Sequence, residues 1–405
     1  MFDAIRQRLR SNPGAGKLLG AQVPADLADW LDYVAIGNLM AFVWLSPPIA
    51  FAWLAIGLGL PYLTVGLVAG ALVDRLDLRR VLILSNLGRA LATAALLLAP
   101  DWPQLVGILF LRGCADAFFT PAKQAALQAL VRTEDQMAVN GLSHAINQSC
   151  KILAPALGGL LLLAMPAQGI FILNAGVSLI AAGLLARLTQ MPRDAAATVP
   201  NPVLSDVAEG FRLLRDRPVL QGTVGLMAAG YFAMFFYDTL IAPLIQALGQ
   251  QPSAFGLVLT AVGAGGVTGA LALTRGPTGH RAFYLIASGS AISGLAIGGL
   301  GLAEMIRFEP PLWIIIAVFA LIGFASSLSV VPTRTILQQN TTPATIARIT
   351  SLSEALNTVA LLLGPFIGAI LATATSVGAA FVLGSVVMIG VALAAIALGR
   401  RFTPR

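Results

Sequence analysis

Asp29 and Asp32 stand three residues apart in an otherwise apolar run, which brings both carboxylates to one face of a helix, with Asn38 farther along. Arg112 and Asp116 stand four apart, again on one face. Arg89, Lys151, Asp238 and Glu354 are further ionisable residues within apolar stretches. A charge at the centre of a membrane helix costs about 2.5–3.5 kcal/mol on insertion scales, so each must be paired, hydrated or neutralised by a proton. The chemistry on offer is proton uptake and the exchange of ion-pair partners. An arginine keeps its charge and can only change partners, whereas a carboxylate can take a proton. Asp32 is the first choice as a proton site, followed by Asp29, Asp116, Asp238 and Glu354. An anchoring role near the lipid headgroups competes for Asp29, and a tie between helices competes for Glu354, Arg89 and Lys151. Arg112 is expected to hold Asp116 either as a static brace or as a switch that, in its other state, meets another acid or an anionic substrate group.

Other chemistries lack their residues. His144 and His280 are the only histidines, with no His-x-x-x-His pair, and no glycine-rich loop ends in a phosphate-cradling lysine. Cys114 and Cys150 fall within apolar segments and read as small packing residues. No metal, no cofactor and no enzyme activity is expected.

The elements that must position these charges are membrane helices. The chain has 405 residues, of which 57% are hydrophobic and 11% charged, with a mean hydropathy of +0.84. Apolar stretches of about 20 residues, enough to cross a hydrocarbon core of about 30 Å, recur from Leu31 onward. The pattern predicts an all-α membrane protein of twelve transmembrane helices, the first over 22–46 and the seventh over 218–247. A net charge of +7 would suggest nucleic acid in a soluble protein. Here the basic residues, Lys123 among them, gather at one face and Arg307 alone falls opposite, so that face reads as cytoplasmic. Both termini share it. Residues 1–20 are read as a cytoplasmic segment rather than a cleaved signal peptide, 21–191 as a first six-helix bundle, 192–217 as a cytoplasmic linker with an amphipathic helix, 218–399 as a second bundle, and 400–405 as a tail.

The two halves repeat. Gly66-x-x-x-Gly70-Ala71-Leu72 recurs as Gly265-x-x-x-Gly269-Ala270-Leu271, a small-residue ridge of the kind that lets helices approach closely. Pro121 corresponds to Pro332, Asn147 to Asn357 and Pro155 to Pro365. Two pseudo-symmetric six-helix bundles follow, an organisation that puts a substrate site near the bilayer midplane.

The segment Gly70-Ala-Leu-Val-Asp74-Arg75-Leu-Asp77-Leu-Arg79-Arg80 resembles the cytoplasmic signature of the major facilitator superfamily, with Asp77 where a second glycine is usual. Asp29-Trp30, Arg112-Gly113, Phe118-Phe119-x-Pro121-Ala122 and Asn140-Gly141-Leu142 are similar to the drug and siderophore exporters of that superfamily. Pro155-x-x-Gly158-Gly159 is similar to its antiporter signature, with Ala154 in place of a glycine. The resemblance implies the major facilitator fold, with helices one, four, seven and ten around a central cavity. Asp32, Arg112, Asp116 and Asp238 would then face the substrate path. Asn38, Tyr231, Phe235 and Tyr237 would wall it, although an aromatic cluster on helix seven can equally be packing. Gly70, Asp74, Arg75, Arg79 and Arg80 would form a cytoplasmic latch, with anionic lipid as the competing partner of Arg79 and Arg80.

These readings together imply a secondary transporter that exports small amphipathic compounds by alternating access coupled to proton antiport. Its expected partners are such a substrate, protons and membrane lipids, with no nucleic acid, and a monomer is expected in the bacterial inner membrane. A lysophospholipid transporter of the same superfamily is one alternative. A membrane sensor that moves no solute is another.

Overall fold

Pro13, Pro218 and Pro252 each open a helix, where the missing amide hydrogen costs nothing because a first-turn N–H has no intrahelical acceptor. A computed structural model describes residues 8, 10–73, 75–189, 212, 214–215, 217–273, 281–341 and 346–402. Among these, regular structure is helical throughout. Ten helical spans are long and apolar enough to cross a membrane. The chain divides into two units, residues 1–46 with 56–198 and residues 47–55 with 199–405.

The first unit runs through α1 (Pro13–Trp30), α2 (Tyr33–Asn38) with a π turn at Leu39–Val43, α3 (Pro48–Val73) from residue 56 onward, α4 (Leu78–Ala95), α5 (Trp102–Asp116), α6 (Phe119–Leu130), α7 (Gln136–Leu161) and α8 (Ala167–Leu185). The second contains α9 (Pro218–Asp238), α10 (Ile241–Ala247), α11 (Pro252–Ala272), α12 (Arg281–Met305), α13 (Leu312–Gln339), α14 (Ile346–Ala374) and α15 (Val377–Arg401). In the first unit α4 packs on α8 and α5, and α1 on α7 and α8; in the second α12 packs on α15 and α13, and α9 on α14 and α15. The repeat seen in sequence is thus a repeat of neighbours.

The first and seventh helices depart from expectation in the same way, and the fourth membrane helix breaks as well, at Ala117–Phe118 between α5 and α6. The first was expected over 22–46 but begins at Pro13, so part of the segment 1–20 is helical. Hydropathy missed this start because Asn12 secures it: its amide donates to the Asp135 carboxylate at 2.8 Å, and it accepts from the Arg132 backbone at 3.0 Å. The helix then breaks at Leu31–Asp32 before α2. The seventh, expected to be continuous over 218–247, breaks at Thr239–Leu240 directly after Asp238. The breaks of the first and seventh each lie near a glycine of the facing helix. A Cβ on Gly158 would overlap the Leu31 carbonyl, and one on Gly368 would overlap the Phe236 carbonyl. Both glycines sit three residues after a matched proline, Pro155 and Pro365.

Membrane helices associate through close packing and hydrogen bonds rather than through exclusion of water. The Gly265–Gly269 ridge of α11 follows that rule, since a Cβ at Gly265 would overlap the Ala320 carbonyl and one at Gly269 would lie 2.6 Å from the Phe324 carbonyl. The corresponding ridge of the first unit does not. Nothing among the described residues lies within 4 Å of a Cβ built on Gly70. Of the amphipathic linker expected over 192–217, only Arg212, Leu214, Arg215 and Arg217 are described, and Leu214 packs with Leu220, Val224, Ile349 and Leu352.

Candidate functional site

Three aspartates at intervals of three, Asp26, Asp29 and Asp32, line one side of the first helix and its break. Each takes a cation from a different helix. Lys123 of α6 lies 3.3 Å from Asp26, Arg89 of α4 donates to Asp29, and Arg112 of α5 donates to Asp32 at 2.5 Å. Arg89 also donates to the Ala25 carbonyl at 2.8 Å and reaches a second acid, Asp116, at 3.1 Å. Tyr62 of α3 donates its hydroxyl to the other oxygen of Asp116. The Phe119 ring lies beside two of the cations, 5.8 Å from the Arg89 guanidinium and 5.3 Å from the Lys123 ammonium.

Close helix contacts set this geometry. A Cβ on Gly113 would lie 2.7 Å from the Pro61 ring, and one on Gly57 would lie 3.0 Å from Val106, so α3 and α5 meet almost backbone to side chain. Tyr62 follows Pro61 and Asp116 follows Gly113 by three residues, which brings hydroxyl and carboxylate together. The network is buried: Asp32 is 0% exposed and Asp26 1%, while Arg112 and Asp116 are 9% exposed. Tyr62, at 47%, reaches the surface, and Asp29 is half-buried. At Asp116 the Arg89 contact is an ion pair without hydrogen-bond geometry, and Oδ1 has no hydrogen-bond partner. Asp32 likewise keeps Oδ1 unpartnered.

The expected Arg112–Asp116 pair is not formed. Each residue instead meets a group from another helix, because a buried charge is best neutralised by a neighbour it faces directly. Asp29, one residue before the end of α1 at Trp30, is held by Arg89. Arg89 does tie helices together, joining α4 to α1 and α5. Lys151, expected to do the same, is exposed, with its ammonium 5.8 Å from the Trp30 ring. Lys123, counted among the basic residues of the cytoplasmic face, turns inward and is 7% exposed. Asp26, Lys123 and Tyr62 were not singled out in sequence. Asp26 continues the three-residue spacing and could have been, whereas the other two are selected by tertiary contact. Cys114 and Cys150 are free thiols.

The signature loop is partly visible. Asp77 caps α4, accepting from the Arg80 amide at 2.8 Å, which explains an acid where glycine is usual. Arg79 donates to the Ala186 carbonyl at 2.5 Å, past the end of α8. Asp74 lies outside the described residues, Arg80 is exposed, and Arg75 is exposed in the turn that follows. Of the antiporter-like trio, Gly158 meets the helix break, and Pro155 and Gly159 are buried beside it.

The second unit holds a cavity of about 160 Å³. Tyr231, Tyr237 and Asp238 line it with Met227, Met234 and Met388, alongside the hydroxyls of Ser290, Ser293, Ser326, Ser329 and Thr333. Phe235 is not on its wall; its backbone packs against Gly364. Tyr237 is 5% exposed and lies 5.2 Å from the Phe381 ring. Asn38, in the first unit, is 8% exposed and its carbonyl oxygen has no hydrogen-bond partner. The side chain of Glu354 lies outside the described residues.

Residues 18–297 match the family model described as Major Facilitator Superfamily. The uncharacterized MFS-type transporter YfiS of Bacillus subtilis is 30% identical over 404 residues, which is 95% of this chain and 93% of that protein. The multidrug efflux pump Tap of Mycolicibacterium fortuitum is 28% identical, covering 82% of this chain and 83% of its own. The enterobactin exporter EntS of Shigella boydii is 31% identical, covering 72% and 69%. Among solved structures, a bacterial homologue of the human lysosomal transporter Spinster in an inward-facing, unoccupied conformation superposes with a TM-score of 0.69 at 14% identity, covering 96% of this chain and 98% of that one. At that identity the likeness speaks for the fold alone. The buried charges, the repeated packing and these relatives agree: the chain belongs to the Major Facilitator Superfamily and is a membrane transporter, not an enzyme.

Proposed function

We propose that this transporter exports small amphipathic compounds by alternating access, and that protons drive it through the ion-pair ladder of the first unit. One observation carries the coupling: four carboxylates, the buried Asp26, Asp32 and Asp116 and the half-buried Asp29, share three cations, Lys123, Arg89 and Arg112. With all seven ionised the cluster keeps one negative charge in a low-dielectric interior, and a single proton removes it. The surplus falls on Arg89, which serves both Asp29 and Asp116, whereas Asp32 has Arg112 to itself. The proton site is therefore the Asp29–Asp116 pair rather than Asp32. Tyr62, which reaches the surface, is the route by which a proton arrives. Protonation frees Arg89 from one of its two acids and changes the relative stability of inward- and outward-open states. One charge moved across 100 mV supplies about 2.3 kcal/mol, enough to bias such an equilibrium strongly.

The substrate side of the reading rests on the second unit. Its cavity has methionines that adapt their shape and aromatic rings that stack, suited to the apolar part of a varied set of compounds. The efflux activities in the names of Tap and EntS are of this kind. The link from Arg79 to Ala186 serves as part of a cytoplasmic latch. The protein acts as a monomer in the bacterial inner membrane, with both termini in the cytoplasm.

Proteoliposomes test the coupling. Asp116→Asn and Asp29→Asn should each retain counterflow of a transported dye while losing accumulation driven by an imposed pH gradient. If the double variant still accumulates dye in proportion to the gradient, the assignment of the proton to this pair is wrong.

A further inference from the structure

At membrane depth in the first unit, Arg89, Arg112 and Lys123 each meet a carboxylate, and among the described residues Lys151 meets none. Lys151 is 15 residues from the start of α7 at Gln136 and ten from its end at Leu161. At 1.5 Å per residue it stands about 22 Å and about 15 Å from the two ends of the helix, farther than a lysine stem extends. The nearby acid of the first helix, Asp29, is committed to Arg89.

The side of α7 that carries Lys151 is not a lipid-facing side. Asn140, His144 and Asn147 precede Lys151 at helical spacing, and all four side chains are exposed or half-exposed. Leu153, Leu157 and Leu160 are also exposed, but at 3.6 residues per turn they lie nearly opposite that stripe. The leucines suit hydrocarbon. A polar stripe ending in an unneutralised ammonium would cost several kcal/mol there and suits a hydrated path. The stripe also explains why α7 is absent from the ten spans apolar enough to cross a membrane.

We infer that Lys151, held beside the Trp30 ring, receives an anionic oxygen group of the transported compound: a carboxylate, phosphate, sulfonate or acidic phenol on an apolar body. The ammonium supplies charge and up to three donors, and the indole face supplies a flat apolar surface against which the adjoining part of the ligand rests. The amides of Asn140 and Asn147 line the approach. The inference rests on the transport reading for its substrate, and it sharpens that reading from amphipathic to amphipathic and anionic. Arg112 is unsuited to the same role, since Asp32 already neutralises it.

A matched pair of probes isolates the charge. N-dansylglycine carries one carboxylate and its glycinamide analogue carries none, so binding of both to purified protein in neutral detergent reads the contribution of the anion. Wild type should favour the acid about tenfold, a difference typical of one charge-assisted contact. Lys151→Gln should erase that preference while leaving the amide unchanged, and Lys151→Arg should keep most of it and control for folding. A wild type with no preference, or a Lys151→Gln variant that retains it, overturns the inference. Competition by lysophosphatidylglycerol would assign the anion to a lipid, and its failure to compete would assign it to a soluble compound; either outcome keeps the anionic class. Because the measurement needs no gradient, a protein that binds the acid but moves no solute would defeat the transport reading and leave this one standing.

Discussion

Removing Arg89 should cost far more than removing one of its acids, and the two changes should compensate each other. In Arg89→Gln, Asp29 and Asp116 lose their shared cation, and the Ala25 carbonyl loses a 2.8 Å hydrogen bond. Breaking a buried ion pair by deleting one partner costs about 3–5 kcal/mol. Asp116→Asn is a different case. Arg89 keeps Asp29, the amide can still accept from Tyr62, and three acids then face three cations. Its cost should stay within about 1 kcal/mol, the level of ordinary substitutions. In the double variant the anion and the cation leave together, so it should recover about 1–2 kcal/mol relative to the sum of the single effects. Thermal unfolding of purified protein reads all three. At roughly 2–4 °C per kcal/mol for a unit of this size, Arg89→Gln should melt on the order of 10 °C lower and Asp116→Asn within a few degrees of wild type. Equal losses for the two single variants, or strictly additive effects in the double, would refute the idea of a surplus acid on Arg89.

Further outcomes follow from local contacts. Gly158→Ala and Gly368→Ala should each lower the melting temperature and impair transport, because the new methyl meets a backbone carbonyl at a helix break, whereas Gly70→Ala should be tolerated. Tyr62→Phe, which deletes the donor to Asp116, should slow gradient-driven transport and spare counterflow in the same vesicles. Asp77→Ala removes the cap of α4 and should cost about 0.5–2 kcal/mol, read as a lowered unfolding midpoint. Ser293→Leu should fill part of the cavity of the second unit and weaken binding of aromatic dyes without unfolding the protein, checked by dye titration and circular dichroism.

Much of this site was legible because helical spacing is local. Asp29 and Asp32 could be assigned to one face from their positions alone, and the same rule extends to Asp26. Spacing equally suggested Arg112 with Asp116, a pair absent from this structure, since a pair that can meet along one helix competes with pairs formed across helices. Which cation each aspartate takes depends on Gly113 against Pro61 and on the break after Trp30, and neither has a signature in the order of residues. The fold was more transparent than the site because hydropathy reports each helix separately. It failed at the start of α1, where Asn12 and Pro13 set the boundary through contacts 120 residues away in sequence, and at the end of α9, where the break falls on an ordinary Thr-Leu after Asp238.

The ladder also constrains how the protein is made. The partners of α1 arrive late, with Arg89 60 residues after Asp29, Arg112 80 after Asp32 and Lys123 97 after Asp26. At about 5–20 residues per second, the first helix waits several seconds before the last of them is synthesised. Three unpaired aspartates, each costing up to about 2.5–3.5 kcal/mol near the centre of a bilayer, disfavour its release into lipid during that interval. It is not among the spans whose hydropathy alone would carry them in. Insertion of α1 is therefore expected as an assembly step rather than a first step, completed when α4, α5 and α6 present their cations, so that a helix synthesised early should be among the last of its unit to settle.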